Sequence, residues 1–497
     1  MGITEYDALD AVGLAELVAA GEVSPEELVQ EAITRIEAHD DTLNAVVRRR
    51  FERALEEARG ELPDGPLRGV PMVWKDLHVS VPGEPTGCGT ATLQEVPRKT
   101  WSTMARRLRD TGAVVVGRTA TPEFGIMGIT EPKATGVVRN PWNPEHTPGG
   151  SSGGSGAAVA ARYVPAAHAS DGGGSIRIPA SHNGLVGLKP TRGRTPAGPE
   201  MAWGWSGIAV EHAVTRTVRD SAALLDATCG PEAGAPYQVL PPERPYREEV
   251  GREPGRLRIG VVTRALLAGE NDADVVAATQ QAAKMAEALG HEVELVQLPI
   301  DPAKLRLAYF TMVAAGTHAE VTHAGHLLGR APRAADFEVT TWAFHRLGDM
   351  LSAGSMELAR IDVEQAGYAL GEFFRTHDVI LTPTCARPPA KVGELYPDAA
   401  AERQLRLFRL PLPRKIVLDA LERLAAQALG ATPNTQLANL LGLPAISLPL
   451  GVSPAGLPVG TQWIAPFGRE DVLFRLAGQL EAAHPWIDRR PGILESA

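Results

Sequence analysis

The sequence predicts an α/β protein. Strand-type and helix-type runs alternate: Gly69–Trp74 is apolar and strand-like, Thr103–Leu108 opens a helix, and Ala113–Gly117 is strand-like again. Alternation of this kind builds a sheet between helices. The run Ala113-Val114-Val115-Val116-Gly117 lacks polar alternation, as expected of a strand buried on both faces. The second half repeats the pattern, with a strand over Arg256–Thr263, an amphipathic helix over Asp274–Leu289 closed by Gly290, and a strand over Glu292–Leu298.

Taken in order, residues 1–60 read as helical. Ser24-Pro25-Glu26-Glu27 is a capping box with proline at the first helical position, and Leu28, Ala32, Ile33 and Ile36 form one apolar stripe behind it. Residues 303–376 read as mostly helical, Val379–Thr384 returns to the sheet, and 396–430 is a charged helical excursion placed to act as a lid. Strands at Ala445–Leu450 and Val459–Trp463 and a helix over Asp471–Ala483 close the chain. No polar linker divides it. The expectation is one domain over 1–497, with a helical layer at 1–64, a core at 65–215 and a largely helical pocket and lid region at 264–430.

Composition narrows the function. Forty-nine basic against 59 acidic residues give a net charge of −10, interspersed rather than in blocks, which argues against a nucleic-acid surface. Cys88, Cys229 and Cys385 are scattered and odd in number, which fits a reducing, cytoplasmic setting better than a disulfide frame or a zinc site. Glu5, Asp7 and Asp10 argue against a secretory signal, and no apolar run reaches membrane-spanning length.

The stretch Pro148–Arg177 carries the chemistry. It holds Gly149-Gly150-Ser151-Ser152-Gly153-Gly154-Ser155 and then Asp171-Gly172-Gly173-Gly174-Ser175-Ile176-Arg177, with Lys75 upstream at the end of an apolar run. Glycines let backbone N–H groups turn toward an anion, and a serine among them is placed to attack a carbonyl. A flexible linker fits poorly, because the first run leads into the apolar helix start Ala157–Ala161. Gly149–Gly153 also matches the G-x-S-x-G nucleophile elbow, but Pro141, Pro144 and Pro148 forbid the strand that elbow needs. Phosphate-loop spacing is missing.

These motifs, with Gly456-Leu457-Pro458-Val459-Gly460-Thr461-Gln462 near the end, resemble the amidase signature family over nearly the whole chain. The resemblance implies the fold of that family, a central twisted mixed sheet covered by helices on both faces. It implies a Ser–cisSer–Lys triad: Ser175 the nucleophile, Ser151 the bridging serine after a cis peptide bond, Lys75 the base. It implies an oxyanion hole of the N–H groups of Gly172, Gly173, Gly174 and Ser175, with Asp171, Arg177 and Ser152 in support. No cofactor or metal is implied. Two stretches, Thr130–Asn143 and Gly468–Trp486, resemble the branch of 6-aminohexanoate-cyclic-dimer hydrolases, with a likeness also to bacterial amidases of aryl amides and carbamates.

The chemistry is coherent on its own terms. Lysine serves as a base only when neutral, so its pKa must fall, which burial without a carboxylate partner achieves. Asp76 follows Lys75, and strand alternation sends the two side chains to opposite faces. The expected activity is hydrolysis of small amides, cyclic or linear oligomers, aryl amides or carbamates, through an acyl-enzyme. The alternatives are a carbamate-directed urethanase and the amidase subunit of a tRNA-dependent amidotransferase. Met127, Trp142, Trp203, Trp205 and Met312 are the candidate pocket residues. The expected partner is a small amide rather than nucleic acid or membrane, bound by a monomer or homodimer.

Overall fold

Eleven strands form one mixed sheet in a computed structural model, which describes residues 6–200, 203–410, 413, 415, 416 and 428–494. In chain order they are β1 (Val46–Arg49), β2 (Pro71–Lys75), β3 (Val114–Thr119), β4 (Ala166–Asp171), β5 (Val186–Lys189), β6 (Val210–Thr215), β7 (Arg258–Val261), β8 (Glu292–Leu295), β9 (Val379–Pro383), β10 (Ala445–Val452) and β11 (Pro458–Ile464). Their spatial order is β1-β3-β2-β4-β6-β5-β10-β11-β9-β7-β8. β2 runs parallel to both β3 and β4, and β7 parallel to β8 and β9; the remaining pairings are antiparallel. Every residue of β2, β3, β4, β5, β6, β9 and β11 is buried. Successive side chains point to opposite faces, so burial of all of them means both faces are covered. The edge strand β8 is mostly exposed.

Three findings depart from the sequence reading. The N-terminal layer is not all helix: α1 (Ala11–Ala20), α2 (Pro25–Leu43) and α3 (Phe51–Arg59) are interrupted by β1, which pairs antiparallel with β3. Strands β4, β5 and β6 carry no strong strand pattern. Ala166-Ala167-His168-Ala169-Ser170-Asp171 has no β-branched residue, and only its place between β2 and β6 makes it a strand. Finally, the strand before the lysine starts at Pro71 and includes Lys75 as its last residue.

α4 (Thr103–Asp110) precedes β3 as expected, and α5 (Gly153–Ala160) begins inside the glycine run. α6 (Arg177–Asn183) and α7 (Val218–Thr228) follow, then a short α8 (Tyr246–Glu249) and the amphipathic α9 (Ala273–Ala288). The helical stretch from 303 resolves into α10 (Pro302–Leu327), α11 (Val339–Met350) and α12 (Ala353–Phe373), which pack together. Of the expected lid, α13 (Ala399–Arg406) packs on α11; most of the rest lies outside the described residues. α14 (Gln436–Leu441) and α15 (Glu470–Ala483) complete the described helices. None of them is long and apolar enough to cross a membrane.

Candidate active site

The site lies beyond the carboxyl ends of β2 and β4, neighbouring parallel strands, where open α/β sheets place their ligands. Lys75 ends β2. β4 ends at Asp171, and Gly172–Ser175 turns the chain into α6. The loop before α5 brings Ser151 across from the side. Thr130 fastens that loop, its Oγ1 donating to Gly149 O at 2.9 Å and accepting from Gly153 N at 3.2 Å. The peptide bond between Gly150 and Ser151 is cis.

Lys75 is wholly buried. Its Nζ donates to Ser151 Oγ at 2.6 Å and to Ser170 Oγ at 3.0 Å. No ion pair engages it among the described residues. Asp76 points elsewhere: both its carboxylate oxygens accept from Gly87 N, at 3.1 and 3.0 Å, and Arg118 supplies its nearby positive charge. Burial therefore pulls Lys75 down from 10.5 to about 7, against the opposing influence of Asp171, Glu211 and Glu320. If this amine is the base, kcat/KM falls roughly tenfold per pH unit below about pH 7, as Lys75 takes up a proton. A pH–rate profile that stays level to pH 5.5 would contradict it.

Ser175 and Ser151 line the same cavity. The Ser175 hydroxyl has no hydrogen-bond partner among the described residues. Ser152 ties the two loops together, its N–H donating to Ser175 O at 3.3 Å and its Oγ to Ser170 O at 3.2 Å.

The glycine turn shows what its sequence is for. A Cβ on Gly172 would lie 2.9 Å from the Trp205 ring, and one on Gly173 only 1.9 Å from Tyr309 Oη. Gly174 has φ +123°, which disfavours any side chain. The N–H groups of Gly172, Gly173 and Ser175 make no hydrogen bond among the described residues. Gly174 corrects the sequence expectation. Its N–H donates to Asp171 Oδ1 at 2.6 Å and is spent on the scaffold rather than on an oxyanion.

Asp171 and Arg177 make that scaffold. Both are fully buried. Arg177 Nε and Nη2 each donate to the carboxylate at 2.9 Å, while Nη1 donates to Gln462 Oε1 at 2.5 Å and Thr435 O at 2.8 Å. Asn439 Nδ2 adds a bond to Asp171 Oδ1 at 2.8 Å. Burial works to raise the Asp171 pKa, but Arg177, Asn439 and Lys189 hold it well below the usual carboxylate range. The C-terminal motif is thereby explained, since Gln462 on β11 holds the guanidinium that shapes the Gly172–Ser175 turn. Arg177→Met leaves a buried carboxylate unpaired and costs about 3–5 kcal/mol, read as a lower denaturation midpoint in urea. An unchanged midpoint would remove Arg177 from the scaffold.

The cavity holds about 1000 Å³, its open mouth included. Of the five pocket candidates it admits one. Trp205 is on its wall, with Nε1 donating to Glu320 Oε1 at 3.1 Å. Trp203 sits outside, packed at a tilt against Tyr237 with ring centroids 4.8 Å apart. Trp142 donates its Nε1 to Asn183 O in a separate recess. Met312 is packed in the core between α10 and its neighbours, and Met127 is half-buried off the cavity. The apolar wall is instead Leu77, Leu93, Phe124, Ala324 and Leu327. A sequence signal existed: Glu320, His323, Ala324 and Leu327 fall on one face of α10 at helical spacing. Neighbouring histidines have other surroundings. Burial draws His182 down to about 3 and lowers His168, which faces Glu211 at 3.4 Å. Among the described residues no three His, Cys, Asp or Glu side chains gather as a metal-holding group.

The chain is similar to known proteins over nearly its whole length. A family model described as Amidase matches residues 27–474. The chain is 36% identical over 498 residues to a 6-aminohexanoate-cyclic-dimer hydrolase of Paenarthrobacter ureafaciens, covering 98% of this chain and 97% of that protein. A solved 6-aminohexanoate cyclic dimer hydrolase superposes with a TM-score of 0.89 at 35% identity, over 99% of this chain and 100% of that one. A bacterial aryl acylamidase of the amidase signature family superposes with a TM-score of 0.82 at 27% identity, over 96% of each chain.

Proposed function

This chain belongs to the amidase family and is a hydrolase of amide bonds, and from that premise we propose that it works through an acyl-enzyme on Ser175. The observation that carries the reading is the buried Lys75, held 2.6 Å from Ser151 with no carboxylate among the described residues paired to its amine. Ser175 Oγ attacks the substrate carbonyl carbon. Its proton passes to Ser151 Oγ as that hydroxyl gives its own to Lys75 Nζ. This second link requires the Ser175 hydroxyl, which makes no hydrogen bond among the described residues and lines the same cavity as Ser151, to donate to Ser151 Oγ. The tetrahedral oxyanion is held by the N–H groups of Gly172, Gly173 and Ser175. The C–N bond then breaks as Lys75 returns the proton through Ser151 to the leaving nitrogen. Water enters by the same relay, and the carboxylic acid leaves.

The substrates are small amides: linear or cyclic amide oligomers, aryl amides, and carbamates as a related acyl class. The relatives' activities and a cavity wide enough for an aryl or short alkyl group support this range. The test is a panel of aliphatic amides, aryl anilides, carbamates and lactam oligomers with the purified chain alone. Turnover of simple amides without a partner is expected. Glutamine hydrolysis alone would favour an amidotransferase subunit, and cleavage of carbamates alone a urethanase.

A further inference from the structure

The mechanism leaves several polar groups in the cavity unused, and buried atoms of theirs, including Glu211 Oε2, Glu320 Oε2 and His323 Nε2, have no hydrogen-bond partner among the described residues; Glu211 Oε2 faces His168 Nε2 at 3.4 Å. Glu320, on α10, is nine-tenths or more buried, yet its Oε2 has no hydrogen-bond partner among the described residues. Its Oε1 is occupied, accepting from Trp205 Nε1 at 3.1 Å and facing His78 Nε2 at 3.5 Å. A buried carboxylate oxygen with no protein donor must take one from water or from a ligand.

Its surroundings say what the donor is. The charged side chains lining the cavity include three carboxylates, Glu200, Glu211 and Glu320, and one guanidinium, Arg98, among the described residues. Arg98 is engaged elsewhere, with Nη2 donating to Thr86 O at 3.0 Å. Glu200 stands exposed and accepts from Thr100 Oγ1. Trp205 offers an indole, which attracts cations to its face. Leu77, Phe124 and Leu327 offer a dry surface to methylenes. A Cβ on Gly172 would meet the six-membered ring of the same indole at 2.9 Å, so the Trp205 ring reaches from Glu320 toward the turn that carries Ser175.

We propose that this wall selects substrates bearing a protonated amine on a short alkyl chain, that is, ω-aminoacyl amides, with the ammonium donating to Glu320 Oε2. The proposal rests on the hydrolytic reading above, but its test does not need turnover. The Ser175→Ala chain is titrated by calorimetry at pH 8 with n-hexylammonium and with n-hexanol. The ammonium is expected to bind about tenfold tighter or more, the margin of a charged hydrogen bond. Adding Glu320→Gln should erase that preference. Equal binding of the two probes overturns the proposal, as does a preference that survives Glu320→Gln. In the unmodified enzyme, kcat/KM for 6-aminohexanoyl p-nitroanilide should exceed that for hexanoyl p-nitroanilide by a similar factor. Equal values overturn the proposal even if the Glu320 variant does not fold. Hydrolysis of neither anilide with binding intact would count against the acyl-enzyme reading and not against this one.

Discussion

Ser175→Ala lowers kcat by at least about 10⁴-fold and abolishes covalent labelling by a fluorophosphonate. The effect is this large because, in the proposed mechanism, no other hydroxyl can replace Ser175 as nucleophile. Ser151 is held by Lys75, and Ser152 by the backbone of Ser170. The fold should not notice the change. The Ser175 hydroxyl makes no hydrogen bond among the described residues, so alanine leaves no orphaned partner and opens space for about one oxygen atom. Melting temperature and circular dichroism should match the parent chain. Labelling that persists in the variant would move the nucleophile elsewhere, and Ser151 would be the first residue to examine.

Lys75→Met abolishes turnover to a similar degree and, unlike most active-site changes, makes the protein more stable. The buried amine titrates near 7 when folded and near 10.5 when unfolded. Between those values the unfolded chain holds the extra proton, so stability rises with pH across that window. Below about pH 7 the full cost of burying the group applies, about 5 kcal/mol. Methionine fills nearly the same volume without that cost. It also takes a donor from Ser151 and Ser170, which returns part of the gain. A net gain of roughly 1–3 kcal/mol at pH 7 follows, fading toward pH 10.5, and is read from urea midpoints across pH. A variant that is less stable than the parent at pH 7 would show that the lysine is paired rather than buried and alone.

The candidate site was legible because it is written in short local patterns. Two glycine–serine turns and one lysine after an apolar run could be read without knowing the fold; the structure puts Lys75 and the Gly172–Ser175 turn at neighbouring strand ends and brings Ser151 to them on the loop before α5. The Gly174 N–H was misassigned because four successive N–H groups look alike in a sequence. Only the position of Asp171 decides which one the scaffold consumes. The pocket was largely illegible. Trp142, Trp203 and Met312 are large and apolar, as a lining should be, but such residues are as useful in cores and surface stacks. What lines the cavity is set by which face of α10 meets the loops after β2 and β3, a tertiary fact. β4 shows the same limit from the other side. Its small residues let α5 and the neighbouring strands close in, so it is a strand by position rather than by propensity.

The most direct test of the neutral-lysine relay is the rate at which a fluorophosphonate modifies Ser175 as pH is varied, in the parent chain and in Lys75→Met. That rate should drop about tenfold per unit below about pH 7 in the parent. In the variant it should be far slower and lose that inflection. The same inflection in both proteins would contradict the account, because some group other than Lys75 would then be taking the proton.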